Sequence, residues 1–374
     1  MNEQHGKGGV TAADQVHRQA ARLELAALVE LERLIAEAGP WVRVRTACEV
    51  EVAGRRFPVP VVTMGSEDPQ APAVGLFGGV HGLERIGAEV VLAYLRTLVS
   101  RLPWDRVQQR QLESLRLVFM PLVNPGGLWL GTRANPQGVD LMRNAPQDAV
   151  GRVPFLVGGQ RLSAALPWYR GPAGAPMQAE SQALCEVVEQ ELLGRPFSLA
   201  VDCHSGFGLH DRIWFPYACR REPIGWLPEL HALKALLDAS QVHHPYVFEP
   251  QSRLYLAHGD LWDHLSLGAQ ARDSRAVFLS LTLEMGSWLW VRKNPRQLFS
   301  RDGLFNPLIA HRQQRVLRRH IGWLDFLTRA ASGHALWLPQ GAERERCRRA
   351  ALAHWYPDHE AIDDGSERDG VTLA

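Results

Sequence analysis

Three apolar runs in this sequence stop at side chains that core packing does not call for. GLFGGV is followed by HGLE, which sets His81 and Glu84 three residues apart where the run over 73–80 gives out. SLAVDC is followed by HSG, with His204 at the end of 197–203, and FLSLTL by EMGS, with Glu284 at the end of 276–283. Imidazole and carboxylate are the ligand types of a catalytic zinc, which commonly takes three of them and keeps a fourth position open to water. A pair at i and i+3 can converge within one turn of chain, so His81 and Glu84 form the short-spaced half of such a set. His204 supplies the distant third ligand, and Glu284 is left to handle protons. One HxxE among 15 histidines is a weak signal. Four competent side chains at three run ends are a stronger one, because ligands in open α/β sheets gather outside the carboxyl ends of strands.

The elements that must position these residues follow from periodicity. Residues 1–18 are polar and read as a frayed segment. From Gln19 to Ala38, Leu25, Leu28, Leu31 and Ile35 recur at helical spacing, and Gly39-Pro40 ends the helix. WVRVRTACEVEV alternates apolar and polar residues, and with FPVPVVTMG it predicts a hairpin or edge strands. Short apolar runs then interleave with longer helical patterns. Strands are expected over 73–80, 115–123, 197–203 and 276–284, and helices over 84–99, 179–192 and about 306–331. Strands apolar on both faces, alternating with helices, point to an α/β domain around a mixed, largely parallel sheet. The stretch 336–374, rich in Arg, Glu and Asp, reads as a poorly ordered tail. The expected organisation is an N-terminal polar segment and helix over 1–39, a catalytic domain over 40–335 and that tail.

Composition narrows the class. Of 374 residues, 46% are hydrophobic and 22% charged, enough apolar surface for a sizeable core. Lys+Arg 41 against Asp+Glu 40 leaves a net charge of +1, which argues against a nucleic-acid footprint or a polybasic membrane surface. No apolar run reaches the ~18–20 residues that span a bilayer. The opening MNEQHGKGGVTAADQ has no apolar core of a secretory signal. Cys48, Cys185, Cys203, Cys219 and Cys347 are odd in number and form no CxxC pair, so neither a disulfide framework nor a cysteine zinc site is expected. These features predict a cytoplasmic enzyme without nucleic-acid or membrane partners.

Taken in order, GGVHGLE, NPGG (Asn124–Gly127), TRANPQGVDLMRN (Thr132–Asn144), DCHSG and TLEMGS resemble the motifs of zinc carboxypeptidases of the carboxypeptidase A/B-like superfamily. YRGPAGAPMQAESQAL, from Tyr169, and RLYLAHGDLWD (Arg253–Asp263) are similar to two further segments of that family. The resemblance spans about residues 40–330. It implies a central mixed sheet of eight strands flanked by helices, one zinc per chain and a peptide or peptide-like substrate. It also implies roles residue by residue. His81, Glu84 and His204 match the zinc ligands, and Glu284 the general base and acid that takes a proton from the zinc-bound water and passes it to the leaving amine. Arg133 matches the arginine that polarises the scissile carbonyl and holds its oxyanion. Arg143 matches the arginine that pairs with the substrate's terminal carboxylate, with Asn144 beside it as substrate-binding. Tyr255 matches the mobile tyrosine that closes over substrate. Asp140 falls where the family places a carboxylate on the first histidine ligand, fixing its tautomer.

One position departs from the pattern. The family commonly carries LNRN where this chain has LMRN, so Met142 replaces an asparagine next to the arginine of the clamp, and Met donates no amide hydrogen bond. A weaker clamp is expected, or a substrate whose terminal group makes its contacts elsewhere. Trp262 falls at the pocket-floor position, where it would form an apolar or stacking wall or restrict the pocket to a small residue. Two other readings compete: a related zinc deacylase acting on N-acyl amino acids, and a non-catalytic zinc-binding protein. The YRGP and Tyr255 segments weigh against the first. Glu284 and Arg133 weigh against the second, since binding alone needs no proton shuttle.

Overall fold

Alternating valines and charged residues near the N-terminus build a β-hairpin that forms one margin of the sheet. In the computed structural model, which describes residues 25–272, 275–300 and 302–357, β1 (Val42–Val52) and β2 (Arg55–Gly65) pair antiparallel. Ala53 and Gly54 turn the chain between them, both at positive φ, as a tight two-residue hairpin requires. The strands that follow are β3 (Ala73–Gly78), β4 (Arg116–Met120), β5 (Phe197–Ser205), β6 (Arg212–Phe215), β7 (Val247–Pro250) and β8 (Val277–Met285). They form one eight-stranded sheet in the order β1-β2-β4-β3-β5-β8-β6-β7. The centre, β4-β3-β5-β8, is parallel throughout; β2 joins β4 and β6 joins β8 antiparallel. The expected mixed, largely parallel sheet of eight strands is therefore present. Every residue of β3, β4 and β5 is buried, as strands covered on both faces must be.

The helix Ala26–Ala38 lies within the predicted one and ends at Gly39, whose N–H bonds the Ile35 carbonyl. The expected frayed segment 1–18 and the first residues of that predicted helix lie outside the described residues. Helices Arg85–Arg101, Ala179–Glu191 and Ala310–Ser332 match their periodic patterns to within a few residues. Two strands escaped the sequence reading: β6 (RIWF) and β7 (VFEP) are four residues each, too short for a period-2 signal. Among the described residues no helix is long and apolar enough to cross a membrane, and all five cysteines are free thiols.

The expected tail needs correcting. Gly341–Trp355 is a helix that packs on the helix Leu227–Ser240, and Ala351, Leu352 and Trp355 are buried. Trp355 lies against Phe215 and Phe248 and donates its indole N–H to the Phe248 carbonyl at 2.8 Å, and Arg344 pairs with Glu229 at 2.7 Å. The charges of RERCRR dominate the composition, but one apolar stripe is enough to dock a helix. The folded unit therefore continues beyond residue 335; residues 358–374 lie outside the described residues.

His320, on the helix Ala310–Ser332, sits buried between Tyr246 and Asp211. Its Nδ1 is 3.0 Å from the Tyr246 hydroxyl and its Nε2 is 3.9 Å from an Asp211 oxygen. Burial lowers its pKa to about 4, with Asp211 pulling the other way and Arg319 adding to the fall. An unfolded histidine titrates near 6.5. Neutral His320 therefore contributes its full stability above that pH, and the contribution is lost as pH falls from about 6.5 through about 4. The loss amounts to roughly 3 kcal/mol, because each tenfold change in proton affinity is worth ~1.4 kcal/mol. Urea unfolding between pH 7 and 4.5 should show stability declining, and His320→Gln should show a shallower decline. Equal slopes in the two proteins would show that His320 does not titrate in this window.

Candidate metal centre and active site

Close backbone packing brings the distant residues of the site together. Beyond β3, the turn 81–84 lies against the NPGG segment so tightly that a Cβ on Gly82 would come within 2.0 Å of the Gly127 backbone. Asn124 locks that contact, donating to the Val80 carbonyl and accepting from the Gly127 N–H. Asn306 fixes the other side: its side chain accepts from the Ile86 N–H and donates to the Leu83 carbonyl. The helix Arg85–Arg101 meets β5 at Gly87, where a Cβ would stand 2.1 Å from the Cys203 carbonyl oxygen. That approach carries Glu84, just before the helix, up to His204 at the end of β5. Sequence reading missed Asn306; its distance in the chain left no local signal.

His81, Glu84 and His204 are all buried, and their donor atoms lie within 4.8 Å of one another. The two Nδ1 atoms are 3.2 Å apart, and each faces the Glu84 carboxylate, at 2.9 Å for His81 and 3.1 Å for His204. The far nitrogen of each ring faces another carboxylate: His81 Nε2 is 3.1 Å from Asp140 and His204 Nε2 is 2.7 Å from Asp202. The carboxylate hydrogen-bonded to His81 Nε2 draws the ring proton there and leaves its Nδ1 lone pair exposed; at His204 the close Asp202 charge favours the same arrangement without an in-line hydrogen bond. Two such lone pairs and a carboxylate then point at one place, an arrangement that suits a cation. Two histidines and one glutamate also form the donor set of an open catalytic zinc site. The residues fit the metal.

Burial alone would raise the pKa of Glu84, but His81 and His204 hold its carboxyl below the usual range. Burial of Asp140 is likewise overcome, first by Arg133 and then by His81, which keep it well below an ordinary aspartate. Arg133 ties the two acids together, its Nε donating to Asp140 at 2.8 Å and its Nη1 to Glu84 at 3.0 Å. Glu284 stands apart from the three donors. It is directly across from His204 in the β5-β8 register and accepts the Phe207 N–H at 2.9 Å. Its pKa is raised to about 8, chiefly by burial and next by the negative charge of Glu84.

The substrate-binding expectations divide. Arg143 and Tyr255 are brought together, with the guanidinium donating to the phenol oxygen at 3.4 Å. Arg143 is 4% exposed, its other donors reach only the Met142 and Val157 carbonyls, and it forms no ion pair among the described residues. Asn144 needs correcting as a substrate contact: its Nδ2 donates to the Arg170 carbonyl and its Oδ1 accepts the Gln178 N–H, so the buried amide braces the loop. Arg170, within YRGP, gathers the same loop by bonding the carbonyls of Arg143, Ala145 and Gln147. The Met142 side chain is buried in the main apolar core. Trp262, expected as a pocket wall, is 2% exposed, and its indole N–H goes to Asp202 at 2.9 Å. An indole so enclosed offers a substrate no open face.

Residues 50–269 match the zinc carboxypeptidase family of peptidases. The chain is 30% identical over 158 residues to carboxypeptidase E of Caenorhabditis elegans, an alignment covering 38% of this chain and 32% of that one. It is 32% identical over 93 residues to carboxypeptidase SOL1 of Arabidopsis thaliana, covering 24% and 19% of the two. The chain thus spans at most about a third of the length of these curated relatives. Among solved structures, carboxypeptidase A from Helicoverpa armigera superposes with a TM-score of 0.57 at 17% identity, over 81% of this chain and 71% of that one. Bovine thrombin-activatable fibrinolysis inhibitor, solved with tick carboxypeptidase inhibitor, gives 0.57 at 17% identity over 82% and 94%. At such identities the structural likeness speaks for the fold.

Proposed function

This chain belongs to the zinc carboxypeptidase family, and on that premise we propose that it hydrolyses the amide bond next to the free C-terminal carboxylate of a peptide or peptide-like substrate. The observation that carries the reading is Arg143. A guanidinium stays charged at any physiological pH, and burying one without a carboxylate partner is costly. A substrate carboxylate gripped through two parallel N–H bonds would complete it. Tyr255, already at its side, would close over the bound terminus.

His81, Glu84 and His204 would hold zinc, which would supply an acidified water and a Lewis acid for the carbonyl. The remaining work falls to the chain's own groups. Glu284 accepts the proton of the attacking water and returns it to the leaving amine, a role worth about 10²–10⁴-fold in rate. Its carboxylate is steadied for this by the Phe207 N–H. Arg133 has Nε and Nη1 committed to Asp140 and Glu84, which fixes the plane of its guanidinium. In the proposed reaction the remaining nitrogen stabilises charge developing on the carbonyl oxygen. Asp140 and Asp202 keep each imidazole turned so that Nδ1 is presented.

The test combines metal analysis with substrate choice. Purified protein should hold about one zinc per chain, and His204→Ala should lose most of it, since two donors remain of three. Full retention by that variant would remove His204 from the ligand set. Short peptides should be cleaved and N-acyl amino acids left intact; the reverse would make the protein a deacylase.

A further inference from the structure

We infer that Trp262 is a positioning residue for the metal centre, acting on His204 through Asp202; the inference rests on the ligand set proposed above. Asp202 and His204 lie two residues apart on β5, so both side chains project from the same face of the sheet. Asp202 is completely buried. Among the described residues its Oδ1 has no hydrogen-bond partner, while its Oδ2 lies 2.9 Å from the Trp262 indole nitrogen, which donates to it, and 2.7 Å from His204 Nε2. The approach to His204 is close but departs from an in-line hydrogen bond. Among the described residues the indole is therefore the one conventional donor to this carboxylate.

A buried carboxylate with so few donors is costly to the fold. What it gains here is a fixed place beneath one ligand. The indole is itself held: the Trp262 ring packs edge-on against Phe77 of β3, the residue paired with Asp202 across the sheet. The Trp262 backbone N–H bonds Asp260 at 2.9 Å, where the helix Leu261–Arg272 begins. A rigid donor on a packed ring thus holds the Asp202 oxygen 2.7 Å from Nε2, and a carboxylate so close restricts the imidazole whose Nδ1 faces Glu84 and His81. The other ligand is served differently, since the Asp140 carboxylate on His81 is held by the Arg133 guanidinium. A neutral indole donates to Asp202 without bringing a positive charge to it.

Zinc affinity, measured by competition with a chromophoric chelator, tests the relay without reference to turnover. Trp262→Phe keeps an aromatic ring against Phe77 and deletes the N–H; it should weaken zinc binding about tenfold, the scale of one hydrogen bond to a charged group. Asp202→Asn should cost about 10- to 100-fold. In the Asp202→Asn background, adding Trp262→Phe should change affinity less than about twofold, because the route it acts through is gone. Replacing the Trp262 indole with a benzothiophene isostere, which exchanges N–H for sulfur at the same shape, should reproduce the Trp262→Phe loss. Equal losses in both backgrounds, or an isostere that binds zinc like the wild type, would show that Trp262 only packs. Unchanged affinity in Trp262→Phe would also overturn the relay. His204→Ala separates the two levels: if it retains zinc, the ligand set itself is wrong; if it loses zinc while Trp262→Phe does not, only the relay fails.

Discussion

Glu284→Gln is expected to keep the fold and the metal and to lose about 10²–10⁴-fold in kcat/KM, the usual contribution of a general base and acid. The structure makes this substitution a clean one. Glu284 lies outside the group of three donors, so metal content should not change. A glutamine is nearly isosteric, and its carbonyl can still accept the Phe207 N–H that holds the present carboxylate at 2.9 Å. What it cannot do is take a proton. The pH profile gives a second reading. Glu284 is lifted to about 8 by burial and by the charge of Glu84, and a cation on the three donors opposes that lift. A base works only when deprotonated, so kcat/KM should rise with pH through a value below about 8 and then level off. In Glu284→Gln that acid limb should disappear from the residual rate. Stopped-flow or continuous hydrolysis assays on metal-loaded protein check both; a fall of less than about tenfold would assign the proton to another group.

How much of this site could be read from the residues depends on what fixes each one. His81, Glu84, His204 and Glu284 stand where apolar strands run out, and that local signal holds in the fold, where Glu284 faces His204 across two parallel strands. The parallel centre was legible for the same reason: runs such as AVGLFG and SLAVDC are apolar on both faces. Asp202 was readable in principle, because the alternation in DCH places it on the same face as His204, but within a hydrophobic strand it passed for part of the motif. Asn144 and Trp262 were harder to read because one caps a short 3-10 turn and the other sits at a helix start, where direction is set by tertiary packing. Met142 turns into the core, Asn144 spends its amide on two backbone groups, and Trp262 turns under the sheet end. The helix Gly341–Trp355 was hidden by its charges, since three buried residues carry its docking and the others face away or sideways.

The burial of Met142 also changes what its substitution should do. Met142→Asn would put an amide into the apolar core, so it should destabilise the fold without tightening the clamp. In the proposed reaction, specificity for a free terminus would then rest on Arg143. Its guanidinium is buried and held by two backbone carbonyls and the Tyr255 hydroxyl; it feels the nearby Asp260 and Asp140 but forms no contact ion pair with an acid among the described residues. A substrate carboxylate arriving there exchanges water for a charge-assisted, two-pronged contact in a site of low polarisability. A peptide with a free C-terminus should therefore be a far better substrate than the same peptide as its C-terminal amide. Truncating one partner of a buried charge pair costs about 2–5 kcal/mol, so Arg143→Met should lower kcat/KM on the acid by about 30- to 5,000-fold. The same change should leave the already slow amide almost untouched. Arg143→Lys keeps the charge but not the planar fork, and should fall between the two. If Arg143→Met simply unfolds, the lysine variant still decides the matter through its ratio of acid to amide hydrolysis. Equal rates on acid and amide in the wild type would take Arg143 out of substrate recognition and make the protein a broader amidase. If wild type strongly prefers the acid and Arg143→Lys retains that preference in full, the selectivity comes from charge alone and the bidentate grip is not needed.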